Sequence, residues 1–97
     1  MTSPLTLETT WQQDGTPLVT ATGEIDLSNV AGFTRALADA TAGGAITVDL
    51  RGVAYIDSAA INALFSHADD VSRVLANRLL MPVLTVSGLT ELVHVER

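Results

Sequence analysis

Ala45-Ile46-Thr47-Val48-Asp49-Leu50 is a short, mostly apolar run held between Gly44 and Gly52. Its length and composition suit a central strand buried on both faces, of the kind that parallel sheets contain. Downstream, Val53 to Asp57 leads toward a helix beginning near Ser58, where Ile61, Leu64, Phe65 and Ala68 lie three and four apart and form one buried stripe. Upstream, Val30, Phe33, Leu37 and Ala40 recur at helical spacing between Ser28 and Ala42. Ser28 can cap the start of that helix, and Gly43-Gly44 marks its stop. A buried strand flanked by two amphipathic helices points to an α/β fold.

The regions farther out extend this pattern. Leu5 to Trp11 alternates and is rich in strand formers, Asp14-Gly15 is a turn signal, and Thr16 to Ile25 is a second such run, which together predict a β-hairpin. Between Asp69 and Ser87 the apolar positions also fit one long helix. The preferred reading is a strand over Ser72–Ala76, a turn at Asn77, and a helix from about Leu79 to Ser87 that ends at Gly88, with Pro82 tolerable in its first turn. Leu92 to Val95 is either an added edge strand or a tail. The expected architecture is a single domain over residues 1–97 with a mixed four- to five-stranded sheet, an N-terminal hairpin and helices packed on the sheet. Right-handed parallel crossovers bring the loop with Asp26 and the loop with Asp57 and Ser58 to one edge of that sheet.

The totals bound the function. A chain of 97 residues fits one core, and 47% hydrophobic against 16% charged residues excludes disorder while leaving apolar surface for a partner. A net charge of −6 repels phosphate backbones and anionic headgroups, which argues against direct nucleic-acid or membrane binding. The absence of cysteine removes disulfides and thiolate metal sites. Met1-Thr2-Ser3-Pro4 lacks the features of a signal peptide, and no apolar run approaches the roughly 20 residues of a bilayer span, so a cytoplasmic protein is expected.

Ser58 stands where a loop becomes a helix. Its hydroxyl can cap the first turn, and a phosphate there would meet the positive end of the helix dipole. Gly23-Glu24-Ile25-Asp26-Leu27, followed after one helix by Val48-Asp49-Leu50-Arg51-Gly52-Val53-Ala54-Tyr55-Ile56-Asp57-Ser58, resembles the STAS family of anti-sigma factor antagonists, and Pro82 to Leu89 is similar to the family's last helix and its Gly-Leu ending. The resemblance implies a partner-switching protein that binds an anti-sigma factor and so releases a sigma factor. The anti-sigma factor is typically a serine kinase acting on the residue that corresponds to Ser58, and a phosphatase resets the cycle. It further implies that Asp26 and Asp57 orient the hydroxyl and contact the kinase. Ala59, Ala60, Ile61 and Asn62 then dock the partner together with Ser28. Two departures stand out: Ala60 replaces the usual glycine, and the span from Ser58 to Gly88 is several residues shorter than usual.

Other chemistries find little support. His67 lies about two and a half helical turns beyond Ser58 and His94 is near the end, so no base serves a serine nucleophile and no catalytic residue is assigned. Asp69 and Asp70 beside His67 are read as a solvated face, not a metal site. Gly43-Gly44 lacks the following Lys-Ser/Thr of a phosphate cradle, and Trp11 and Tyr55 are too isolated for base stacking, so no cofactor is expected. Two alternatives share the fold: a stand-alone STAS subunit of a lipid-transporting ATPase complex, and a scaffold of a larger stress-signalling assembly. The oligomeric state is left open.

Overall fold

The computed structural model describes residues 4–97; Met1, Thr2 and Ser3, which belong to the N-terminal stretch read for a signal peptide, lie outside the described residues. The hairpin forms as expected, from β1 (Thr6–Trp11) and β2 (Pro17–Ile25), paired antiparallel from Thr6↔Thr22 to Trp11↔Pro17. Its turn places Gly15 at φ 87°, and Asp14 Oδ1 accepts from both the backbone N–H and the hydroxyl of Thr16. Then come α1 (Val30–Thr41), β3 (Ile46–Ile56), α2 (Ser58–Ser66), β4 (Val71–Leu75), α3 (Met81–Val86) and β5 (His94–Glu96).

The strand order is β1-β2-β3-β4-β5, with β2 through β5 mutually parallel. Every crossover therefore steps to the next strand in the same direction, and right-handed crossovers of that kind place all the helices on one face. On that face Val19, Val48 and Val74 lie in register and share one core with Phe33 and Leu37 of α1, Ala60, Ile61 and Leu64 of α2, and Leu84 of α3.

Ile46–Leu50 is buried along its whole length, as its composition suggests, but no helix among the described residues covers its second face. Polar side chains do so instead. Gln12 Nε2 donates to Thr47 Oγ1 at 3.1 Å, Arg73 Nη1 donates to Glu96 at 3.2 Å, and Arg51 donates through Nε and Nη2 to the two carboxylate oxygens of Asp49 at 3.0 and 2.9 Å. These paired hydrogen bonds hold the Asp49 carboxyl below its ordinary pKa, against the opposing effect of burial. The unfolded chain consequently takes up this proton first. The stabilisation is complete above the unfolded value near 3.8 and is lost as pH falls through the lower folded value. Asp49→Asn is expected to flatten that acid limb: urea melts between about pH 5 and pH 2 should show a smaller loss of stability than in the parent.

Three expectations change. Gly52 does not end the third strand, which continues to Ile56. A Cβ at Gly52 would stand 2.7 Å from Thr22 Cγ2, so this glycine permits close approach of β2 and β3 where their register shifts. The ambiguous segment is a strand, a turn and a helix, as preferred, but the strand begins one residue earlier, at Val71, and the helix does not start until Met81. Asn77 accounts for the late start: its Oδ1 accepts from the N–H groups of Leu79 and Leu80, and its Nδ2 donates to the carbonyls of Arg51 and Val53. The last piece is an edge strand shifted to His94–Glu96, parallel to β4.

Candidate functional site at the carboxyl edge of β2 and β3

Parallel β2 and β3 end side by side at Ile25↔Ile56, so the loop after β2 and the start of α2 meet at one edge, as expected. The meeting is made by hydrogen bonds. Asp57 N–H donates to the Ile25 carbonyl at 3.2 Å, and Asp57 Oδ2 accepts from the Leu27 N–H at 3.0 Å. The other oxygen, Oδ1, accepts from the N–H groups of Ala59 and Ala60 at 2.9 and 3.2 Å. Asp57 is therefore the N-cap of α2 and at the same time the fastener between its first turn and the Asp26 loop.

This corrects the reading of Ser58 as a cap. Ser58 is the first helical residue and is exposed, and none of the hydrogen bonds among the described residues involves its hydroxyl. Neither carboxylate orients that hydroxyl: Asp57 binds backbone N–H groups, while Asp26 Oδ1 accepts from the N–H and the hydroxyl of Ser28. Ser28 does not cap α1 either. Asn29 is the residue preceding the helix, with its Oδ1 accepting from Asp26 N–H and its Nδ2 donating to the Glu24 carbonyl, both at 2.9 Å. The short polar side chains of Asp26, Ser28 and Asn29 thus close the loop on itself. Gly23 of the same motif sits at φ 102°, with the Pro4 carbonyl oxygen pressed against the place where a Cβ would lie, so a side chain there is excluded by backbone as well as by conformation.

The residues expected to dock a partner divide by burial. Asn62 and Ser28 are exposed, and Ala59, Asp26 and Asp57 are half-buried. Ala60 at 0% and Ile61 at 7% exposure belong to the core and offer no docking surface. Apolar character made them look like contacts, but the same character places them against the sheet. What α2 presents outward is the ridge Ser58, Asn62 and Ser66, spaced four apart. Beside it stands Leu27, 79% exposed, and one strand residue before the end of β3 is half-exposed Tyr55. Leu27 and Ser66 are not assigned to this site from sequence, and Tyr55 is weighed there only for base stacking. An apolar residue between Asp26 and Ser28, in a loop too short to fold back over it, was the available signal for Leu27.

Elsewhere, no three His, Asp or Glu side chains converge in a metal-binding arrangement among the described residues. None of the described helices is long and apolar enough to cross a membrane.

Comparison with solved structures places this architecture among known folds. An anti-sigma factor antagonist from Mycobacterium paratuberculosis superposes with a TM-score of 0.86 at 20% identity, over 96% of this chain and 86% of that one. A candidate anti-sigma factor antagonist from Thermotoga maritima gives 0.75 at 16% identity, over 94% and 86% of the two chains. A protein of uncharacterised function with a SpoIIAA-like fold from Shewanella loihica gives 0.65 at 15% identity, over 97% and 85%. No curated protein matches the sequence at a significant level. The family described as "Mlab, STAS domain" matches residues 9–94, nearly the whole sequence, and with the hairpin, the parallel crossovers and the strand-to-helix edge in place the chain belongs to the STAS domain family.

Proposed function

We propose that this domain is an anti-sigma factor antagonist whose binding face is the edge formed by Leu27, Ser28 and the outward ridge of α2. In the unmodified state this face docks an anti-sigma factor, which then releases its sigma factor. The observation that carries the reading is the position of Ser58: exposed, at the first residue of α2, and beside a loop that Asp57 fastens to the same helix. A serine so placed is open to a kinase. Phosphorylation adds about −1.5 to −2 charge and three acceptor oxygens at the centre of the face. The first-turn N–H groups of Ala59 and Ala60 that could receive a phosphate are already bound by Asp57, so the new dianion stands next to a carboxylate. Modification then disfavours docking twice, by charging the surface and by loosening the fastener beneath it. In this scheme the anti-sigma factor is itself the serine kinase, a separate phosphatase restores the hydroxyl, and the domain is a substrate that catalyses nothing. Its work lies in the cytoplasm.

The test is incubation with candidate anti-sigma kinases and ATP, followed by mass spectrometry. One phosphate on the peptide containing residue 58, absent in Ser58→Ala, is expected; modification elsewhere, or none with any kinase that binds the domain, overturns the regulatory step.

Membership of the STAS family also admits a second reading, in which the same face docks the ATPase subunit of a lipid-transporting complex. In that case Ser58→Ala leaves ATPase stimulation intact and no kinase is required.

A further inference from the structure

The two edges of the sheet are built differently. β5 is three residues long, contains His94 and Glu96, and is followed by Arg97. Short length and charge are the usual protections against edge-to-edge pairing. β1 has neither. It runs for six residues, Glu8 is its one charged side chain, and its pairing with β2 is regular, without a bulge. Trp11, at its end, is 69% exposed.

The outward groups of β1 follow from the ladder. Gln12 N–H donates to the Thr16 carbonyl at 2.9 Å, which continues the β1–β2 register by one step. Gln12 thus belongs to the set whose N–H and C=O point at β2, and with period two so do Thr10, Glu8 and Thr6. Leu7, Thr9 and Trp11 direct theirs at the open edge.

We infer that β1 pairs antiparallel with β1 of a second copy of this chain, about a two-fold axis at Thr9, joining the two sheets into one. Three features select this occupant and this register. A two-fold axis normal to the sheet keeps equivalent faces together only if it sets one residue directly opposite its own copy, not opposite its neighbour in sequence. Centred on Thr9, it opposes Thr9 with its copy and Leu7 with Trp11 of the second copy, so all three outward residues exchange hydrogen bonds and Trp11 gains an apolar neighbour. Centred on Glu8 or Thr10, it leaves one outward residue of each copy unpaired, and the Glu8 centre also sets two carboxylates face to face.

Charge permits the approach despite a net −6 per chain. Glu24, Asp26 and Asp57 lie at the carboxyl edge of the parallel strands, whereas Glu8 would face Thr10 of the second copy. The antiparallel arrangement points the two Ser58 edges in opposite directions, so both stay open to partners, and the inference does not depend on which partner docks there.

One strand pair with two tryptophans buries less than the roughly 1,200 Å² of a stable pair, so the association is concentration-dependent, in the micromolar range or weaker. Sedimentation equilibrium from about 10 μM to about 1 mM should show the mass rising from monomer toward twice that value. Thr9→Pro removes an outward N–H without touching the β1–β2 ladder, and Thr9→Lys opposes two ammonium groups at the axis; both should remain monomeric throughout. Circular dichroism checks the fold of each, and Thr9→Lys decides the matter should the proline variant unfold. A wild-type chain that stays monomeric over the whole range, or a folded Thr9→Lys variant that associates like the parent, overturns the inference.

Discussion

Ser58→Asp is expected to weaken binding of the proposed anti-sigma partner by roughly a hundredfold or more, about 2.7 kcal/mol, while Ser58→Ala leaves it within about threefold. The asymmetry follows from the geometry. The Ser58 hydroxyl makes no hydrogen bond within the described residues, so removing it costs the fold nothing and the face only one small polar group. A carboxylate in its place joins Asp57 at the same turn and must be desolvated beneath a docked protein without a counter-ion from this chain. Calorimetric titration of both variants against one anti-sigma factor gives the comparison. Equal affinities would sink the switch while leaving the fold untouched.

Asp57→Ala is expected to have the larger effect on stability, about 2 kcal/mol, because it removes an N-cap bonded to two first-turn N–H groups together with the link to Leu27. For a domain of this size that loss lowers the melting temperature by roughly 10 °C. Asp57→Asn keeps a carbonyl oxygen for the cap and should lose less than half as much. Hydrogen exchange at the Leu27 amide separates the two roles of the residue: it should accelerate in Asp57→Ala beyond the global change in stability. A melting temperature within about 2 °C of the parent would show that neither contact matters. Binding should fall as well, since Leu27 and Ser28 are then no longer held against α2.

Much of this fold is legible in the residues alone. The run Ile46–Leu50 announces a buried strand, Asp14-Gly15 a hairpin turn, and the spacing of Val30, Phe33 and Leu37 a helix, because each rests on local chemistry or on a period that only one kind of element satisfies. Gly52 misleads because glycine ends strands and also lets two strands approach, and only the neighbour, Thr22, distinguishes the two uses. Parallel crossovers rightly bring Asp26 and Asp57 to one edge. The division of labour there is not legible. Read from sequence, Ser58 is the cap, yet Asp57 beside it is an equally good capping type, and backbone conformation decides which one is free. Ala60 and Ile61 illustrate the same limit on α2: their apolar character is plain, but the direction each faces depends on the helix beginning at residue 58.

Sheet order and chain order coincide, from β1 through β5. No strand made later by the ribosome has to insert between strands already paired, so each new βα unit can settle on the growing margin as it emerges. By Ser66 every residue of the Ser58 surface has been synthesised, and the later residues add β4, α3 and β5, with Asn77 bonding back to the carbonyls of Arg51 and Val53 and Leu84 joining the core under α2. A nascent chain can thus hold all the residues of the Ser58 edge before its own translation is finished.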